Sequence, residues 1–246
     1  MVTACIDLGN TVRKAAIFKD GALSAEFVFS DDLLQDGESF LHAWKPDRIL
    51  LASVTDHPES FERLLASRCS FHKLSIHSTL NFKAEVDKPE TIGPDRLALA
   101  AAAVDAAPHS HNLIIALGSC ITYNFIDRNH RFLGGAISPG LQMRFRSLHQ
   151  HTAKLPLLSF GTADEMPEVP LMGYDTPSNM RSGVIHGMAF EIDGMIAAYR
   201  ERYESLQIRL TGGNAPYFAG QLKNKIFADS NLLFKGLYVL SQINGI

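Results

Sequence analysis

Alternation of apolar and polar positions divides the start of the chain into three short strands. VTACIDL reads as an apolar strand, GNT as a turn, VRKAAIF as a returning strand, KDG as a hairpin turn, and ALSAEFVF as a third strand. SDDLLQDGESFLHAWKP carries helical spacing, with Ser30 or Asp31 as its cap. RILLASV predicts a buried strand, HPESFERLLASR a helix and FHKLSIH a short strand. NFKAEVDKPETIGPD reads as a long irregular connection, and RLALAAAAVDAA as an Ala-rich helix.

The pattern then restarts. NLIIALG and CITYNFID predict two strands, RNHR a turn, and FLGGAISP a third strand or turn. LQMRFRSLHQHTAKL predicts a helix. TPSNMRSGVIHGMAFEIDGMIAAYRERYESL contains a long helix whose apolar face is Val184, Met188, Ile192 and Ile196. QIRLTGG is a strand ending in glycines, and NKIFADSNLLFKGLYVLSQI holds a short strand and a final helix. A strand that delivers a small-residue turn thus occurs twice, near Asp7 and near Ala116. This repetition predicts an α/β protein of two similar lobes facing one another across a cleft, residues 1–108 and 109–246, with the boundary near Ala107–His111.

Composition acts mainly by exclusion. The 246 residues are 46% hydrophobic and 20% charged, with a formal net charge of −3, an ordinary globular balance without a nucleic-acid footprint. Ten histidines and three cysteines form no zinc-ligand spacing, and the odd cysteine count suits a reducing compartment. No run reads as a signal peptide or a membrane span, so the cytoplasm is expected, with no membrane or nucleic-acid partner.

Four motifs carry candidate chemistry. In DLGNTVRK, Asp7 ends a strand and is suited to Mg²⁺ or its water shell; Gly9 lets backbone N–H groups approach an anion, and Asn10, Thr11 and Lys14 supply donors. The same residues would also suit a plain hairpin. In GPDR, Asp95 stands just before the Ala-rich helix, fitting either an N-cap or a general base, with Arg96 suited to a carboxylate or phosphate. In ALGSCIT, Ser119 and Thr122 suit a phosphate or a tight turn between core strands. In LTGGNA, bare glycine backbone suits a ribose or flat ring, or an ordinary strand-to-helix turn.

The order of these motifs resembles that of the actin, sugar kinase and heat-shock ATPase superfamily. DLGNTVRK, GPDR, GGAISPGLQMRFRSLHQHTAKLP and SGVIHG followed by TGGNA closely resemble the type III pantothenate kinases. The resemblance spans nearly the whole chain. It implies two actin/ribonuclease-H-like lobes with mixed sheets flanked by helices and ATP in the cleft. It also implies transfer of the ATP γ-phosphate to pantothenate, the first step of coenzyme A synthesis. By resemblance, Asp7, Leu8, Gly9, Asn10, Thr11, Val12, Arg13 and Lys14 form the first phosphate loop, with Asp7 on the Mg²⁺ side. Asp95 is the proton acceptor, and Gly93, Pro94 and Arg96 flank the pantothenate. Gly118 and Ser119 belong to the second phosphate loop, and Ser119 replaces a Thr that touches ATP. Thr176 matches a substrate-contacting Thr, and Gly212, Gly213 and Asn214 match the adenosine-side turn. The resemblance further implies a homodimer and a monovalent cation, K⁺ or NH₄⁺.

Three positions depart from that pattern. Ala116 stands where the family carries the Asp that ligates the monovalent cation, Asn124 where an Asp is common, and Val86 where a Tyr often lines the pantothenate pocket. These departures motivate one alternative: a weakened or inactive member acting as a nucleotide-binding or regulatory protein.

Overall fold

The computed structural model describes residues 1–159, 168–224, 226 and 228–245, and the chain divides into two compact units. The first comprises Met1–Pro108, Asn129–Leu133 and Asn231–Ile246; the second, His109–Arg128 and Gly134–Ser230. The closing helix therefore groups with the first unit although it is the last element of the chain.

In the first unit, β1 (Val2–Leu8), β2 (Arg13–Lys19) and β3 (Ala22–Phe29) form the expected meander. Parallel strands β4 (Arg48–Ser53) and β5 (Ser70–Lys73) extend it to the order β3-β2-β1-β4-β5. Strand β1 is buried along most of its length, as its unbroken apolar run requires. Ile6, Leu8, Ile17, Ile49 and Leu51 pack with Phe40 of α1 (Leu33–Trp44) and Phe61 of α2 (Glu59–Ala66). The cap of α1 is Asp32 and not Ser30 or Asp31: its side chain accepts from the Gln35 N–H at 3.1 Å. Ser30 acts one step earlier, its hydroxyl accepting from the Asp32 N–H.

The stretch expected to be an irregular connection contains a two-residue strand, β6 (Lys83–Ala84), paired with Arg131 and Phe132, and a 3₁₀ turn at Pro89–Thr91. The Ala-rich helix α3 begins at Pro94 and runs to Ala106. Its small side chains let α7 (Leu232–Ile243) approach closely. At the crossing, a Cβ on Gly236 would lie 1.8 Å from the Ala98 carbonyl oxygen. Gly236→Ala must push the two helices apart, and we expect it to destabilise the protein by about 3 kcal/mol. A shift of the urea midpoint checks this, and an unchanged midpoint would contradict the packing.

The second unit repeats the arrangement. Hairpin β7 (His111–Leu117) and β8 (Cys120–Ile126) is flanked by β9 (Arg131–Pro139) on one side and parallel β10 (Leu206–Thr211) on the other. The order β9-β8-β7-β10 matches β3-β2-β1-β4 of the first unit. The segment read as strand or turn is a strand, and a Cβ on Gly135 (φ +150°) would lie 1.8 Å from the Tyr123 carbonyl oxygen, so only glycine lets β9 lie against β8 here.

Helix α4 (Leu141–Gln150) stops short of the predicted length, where the Thr152 hydroxyl donates to the Leu148 carbonyl and the His149 ring bonds the Leu155 carbonyl. Helix α5 (Thr176–Arg202) is the long one, and Val184, Met188, Ile192 and Ile196 are all buried. A short helix, α6 (Ala215–Gln221), follows β10. In the tail expected to hold a short strand, Ala228 bridges Leu210, while Lys225 and Phe227 lie outside the described residues.

Candidate active site

Two sets of motif residues are brought together, one in each unit. In the first unit, β1 carries Asp7 one residue before its end, with Lys14 as its register partner on β2. The connecting turn is tight: the Gly9 N–H donates to the Val12 carbonyl at 3.2 Å, and a Cβ on Gly9 would lie 2.9 Å from that oxygen. Asn10 and Thr11 stand exposed at its tip. Not every residue of this motif turns its side chain to the loop. Leu8 is core, and its carbonyl accepts from the Val54 N–H. Arg13 donates to the Ser30 carbonyl and to Asp31.

Asp95 is not the cap of α3. Gly93 holds that position, Pro94 opens the helix with its pre-set φ, and Asp95 lies within the first turn. The absence of a side chain on Gly93 makes room for the carboxylate, since a Cβ there would lie 2.4 Å from Asp95 Oδ1. Arg96 places its guanidinium over the Phe132 ring at 5.4 Å.

Asp7 and Asp95 sense one another. Burial, and then the Asp95 charge, push the Asp7 carboxyl up to about 7, with Lys14 opposing. Burial also raises Asp95, opposed by backbone donors of its own helical turn and by Arg96. Two partly desolvated carboxylates beside a glycine turn and a lysine make up a donor set suited to a divalent cation and to proton abstraction. Among the described residues no group of three or more His, Cys, Asp or Glu is arranged to hold a metal ion, so such a cation would lean on phosphate oxygens and water.

In the second unit, the Gly118–Ser119 turn is held from two directions. The Gly118 N–H donates to the Cys120 carbonyl, and the Gly140 N–H to the Ser119 carbonyl at 3.2 Å. A Cβ on Gly140 would lie 2.4 Å from the Gly118 oxygen, and one on Gly212 (φ +93°) 2.6 Å from the Leu117 oxygen. The Asn214 N–H donates to the same Leu117 carbonyl, so the turn Gly212, Gly213, Asn214 is tied to the end of β7. Gly140 thus packs on Gly118 and Ser119, and Gly212 on Leu117, through bare backbone. Gly140 is the participant that motif reading left without a role; its signal was a Pro-Gly pair opening a helix.

Gly140 is itself anchored. Arg144 of α4 donates to the Pro139 carbonyl, to Ser138 and to Glu191 of α5, which also accepts from the Tyr123 hydroxyl. Ala116 faces Thr122 and Thr211 across the sheet, and the buried Asn124 donates to Thr122 Oγ1 at 3.1 Å. The two positions paired with Ala116 therefore carry neutral hydroxyls and no carboxylate. Thr176 stands exposed at the first position of α5, after a capping box between Asp175 and Ser178. Val86 is half-buried, two residues beyond β6.

Comparison with solved structures defines the class. A Campylobacter jejuni protein described as a proposed Baf family transcriptional activator matches with TM-score 0.64 at 19% identity over 98% of both chains. A proposed N-acetylmannosamine kinase from Listeria monocytogenes matches with TM-score 0.55 at 15% identity over 99% of both. A proposed 2-dehydro-3-deoxygalactonokinase from Sinorhizobium meliloti gives TM-score 0.55 at 14% identity, over 98% of this chain and 96% of that one. The fold is that of the actin-like sugar kinases. Within it the sequence is more specific. The family pattern described as Type III pantothenate kinase matches residues 4–198. A Christiangramia forsetii protein of that name is 40% identical over 97% of both chains, and one from Bacteroides fragilis 39% identical over 98% of both. The chain belongs to the type III pantothenate kinase family.

Proposed function

We propose that this chain transfers the γ-phosphoryl group of ATP to the primary hydroxyl of pantothenate, giving phosphopantothenate for coenzyme A synthesis. The observation that carries the chemistry is the Asp7–Asp95 pair: two carboxylates with raised pKa values beside a glycine turn. Phosphoryl transfer needs an in-line hydroxyl, charge neutralisation and positioning more than covalent help. Asp95 is the base that accepts the hydroxyl proton, and its burial makes it a stronger base than a free carboxylate. Gly93, Pro94 and Arg96 flank the pantothenate, with Thr176 as a further contact. The residues from Asp7 to Lys14, together with Gly118 and Ser119, hold the phosphates, and Gly212 and Gly213 leave room for the adenosine. Mg²⁺ bound with ATP would be held on the Asp7 side, through water, and would neutralise phosphate charge. Mass analysis of pantothenate incubated with purified protein and MgATP tests this reading. A gain of one phosphoryl group is expected; unaltered pantothenate beside bound ATP would overturn it.

The donor set at Ala116 suits a monovalent cation poorly, because a methyl group stands between two threonines. The enzyme is expected to work with little dependence on K⁺ or NH₄⁺, rates with and without them differing by about twofold or less. Ala116→Asp, which adds a charged oxygen ligand, is expected to create a dependence. Strict dependence in the natural chain would contradict this, showing that neutral oxygens suffice.

A homodimer fits the surface. Leu171, Met172 and Tyr174, just before α5, are 71%, 85% and 85% exposed, and Thr176 follows them directly. Sedimentation is expected to give twice the chain mass, with Met172→Glu shifting it toward the monomer; a monomer in the natural chain would contradict the assignment. Among the described residues no helix is long and apolar enough to cross a membrane, and Cys5, Cys69 and Cys120 are free thiols. Both fit work in the cytoplasm.

A further inference from the structure

The second unit carries a cavity of about 320 Å³ that the kinase reading does not use. Three distant segments build it: the start of β7, the residues after β8, and the turn from α5 to β10. Strand β7 runs from His111, at this cavity, to Leu117, at the Gly118–Ser119 turn. Six residue steps of extended chain separate the two sites by about 20 Å.

The chemistry of the lining is cationic and donor-rich. Arg128 and Arg202 both face the cavity, and neither has an ion-pair or hydrogen-bond partner among the described residues. His111 is stacked on Phe125, with ring centroids 5.9 Å apart, and tilted against Tyr203 at 5.2 Å, so its ring orientation is fixed by packing. Its Nδ1 is buried yet has no hydrogen-bond partner among the described residues. The hydroxyls of Ser110 and Ser205 complete the donors, and Ser205 takes a left-handed φ of +55° in the turn.

We propose that this cavity is a second, non-catalytic site for a small phosphomonoester, held by the Arg128 and Arg202 guanidiniums and the hydroxyls of Ser110 and Ser205. Two guanidinium forks match phosphate oxygens, and they outweigh the one carboxylate on the rim, Glu204. Glu204 also sets the class of ligand. It disfavours a bare dianion and accepts from a hydroxyl carried beside the phosphate. The volume, at the lower end for small-molecule sites, admits such a group and not a nucleotide of full size.

The test is a titration followed by amide NMR at His111 and Ser205, at constant ionic strength, with glycerol phosphate, inorganic phosphate and chloride as separate arms. Saturable shifts are expected with glycerol phosphate, weaker ones with inorganic phosphate, and none with chloride. Binding is expected to weaken roughly tenfold for each guanidinium removed in Arg128→Gln and Arg202→Gln, with turnover of pantothenate unchanged. Absence of saturable shifts would overturn the proposal. So would equal shifts with chloride, meaning an adventitious ion only, or undiminished binding in the double variant. The wild-type titration decides alone should the double variant misfold, and no arm depends on the identity of the kinase substrate.

Discussion

Asp95→Asn is expected to lower turnover by about 10²–10⁴-fold while leaving ATP binding within a few-fold of the natural chain. The substitution keeps shape and removes only the ability to accept a proton. Gly93 has no side chain, so the amide occupies the same space as the carboxylate. Burial raises the Asp95 pKa, so the rate in the natural chain should fall as pH drops through the raised value and Asp95 protonates. Steady-state rates against pH, with a nucleotide-binding measurement on the variant, check both parts. A variant retaining more than about a tenth of wild-type turnover would remove Asp95 from the role of base.

Asp7→Asn is expected to cut turnover by at least about 10²-fold, by removing the carboxylate on the cation side, and also to stabilise the nucleotide-free protein above neutral pH. The sign follows from the raised pKa. Below about pH 4 the carboxyl is protonated in both the folded and the unfolded chain. Between that value and about 7 the unfolded chain releases the proton and the folded chain retains it. The natural protein therefore loses stability as pH rises through this window, by about 2–4 kcal/mol at most. Asp7→Asn should flatten that slope, leaving the smaller contribution of Asp95. Urea midpoints at pH 5 and pH 8, without nucleotide or divalent cation, measure it. Equal pH slopes in the two proteins would contradict the burial of an ionisable pair. The two effects together describe a stability cost held in reserve for a cation, which functional carboxylates commonly carry.

Much of this architecture is legible in the sequence because it rests on local signals. The hairpins announce themselves through short apolar runs closed by the GNT and Gly118–Ser119 turns. The buried face of α5 follows from Val184, Met188, Ile192 and Ile196 at helical spacing. What escaped reading depends on tertiary placement. Strand β6 is two residues long and exists only through pairing with Arg131 and Phe132. Asp95 was legible as a residue of interest but not in its position, because Pro94 starts the helix one residue before it. The grouping of α7 with the first unit rests on Gly236 meeting Ala98, a contact across more than half the chain. Gly140 closes on Gly118 by backbone alone, so the Pro139-Gly140 pair marks a helix start but not its partner. The cavity at His111 draws Arg128 and Arg202 from segments far apart in sequence, so no motif spacing marks it.

The central claim is that a family member lacking the cation carboxylate at position 116 remains a working kinase. Coupled ADP release from the purified protein with MgATP, with and without pantothenate, tests it most directly. The expected result is turnover of about 1–100 s⁻¹ only when pantothenate is present. ATP bound without pantothenate-dependent ADP release would contradict the account and favour a nucleotide-binding regulatory protein on the same fold.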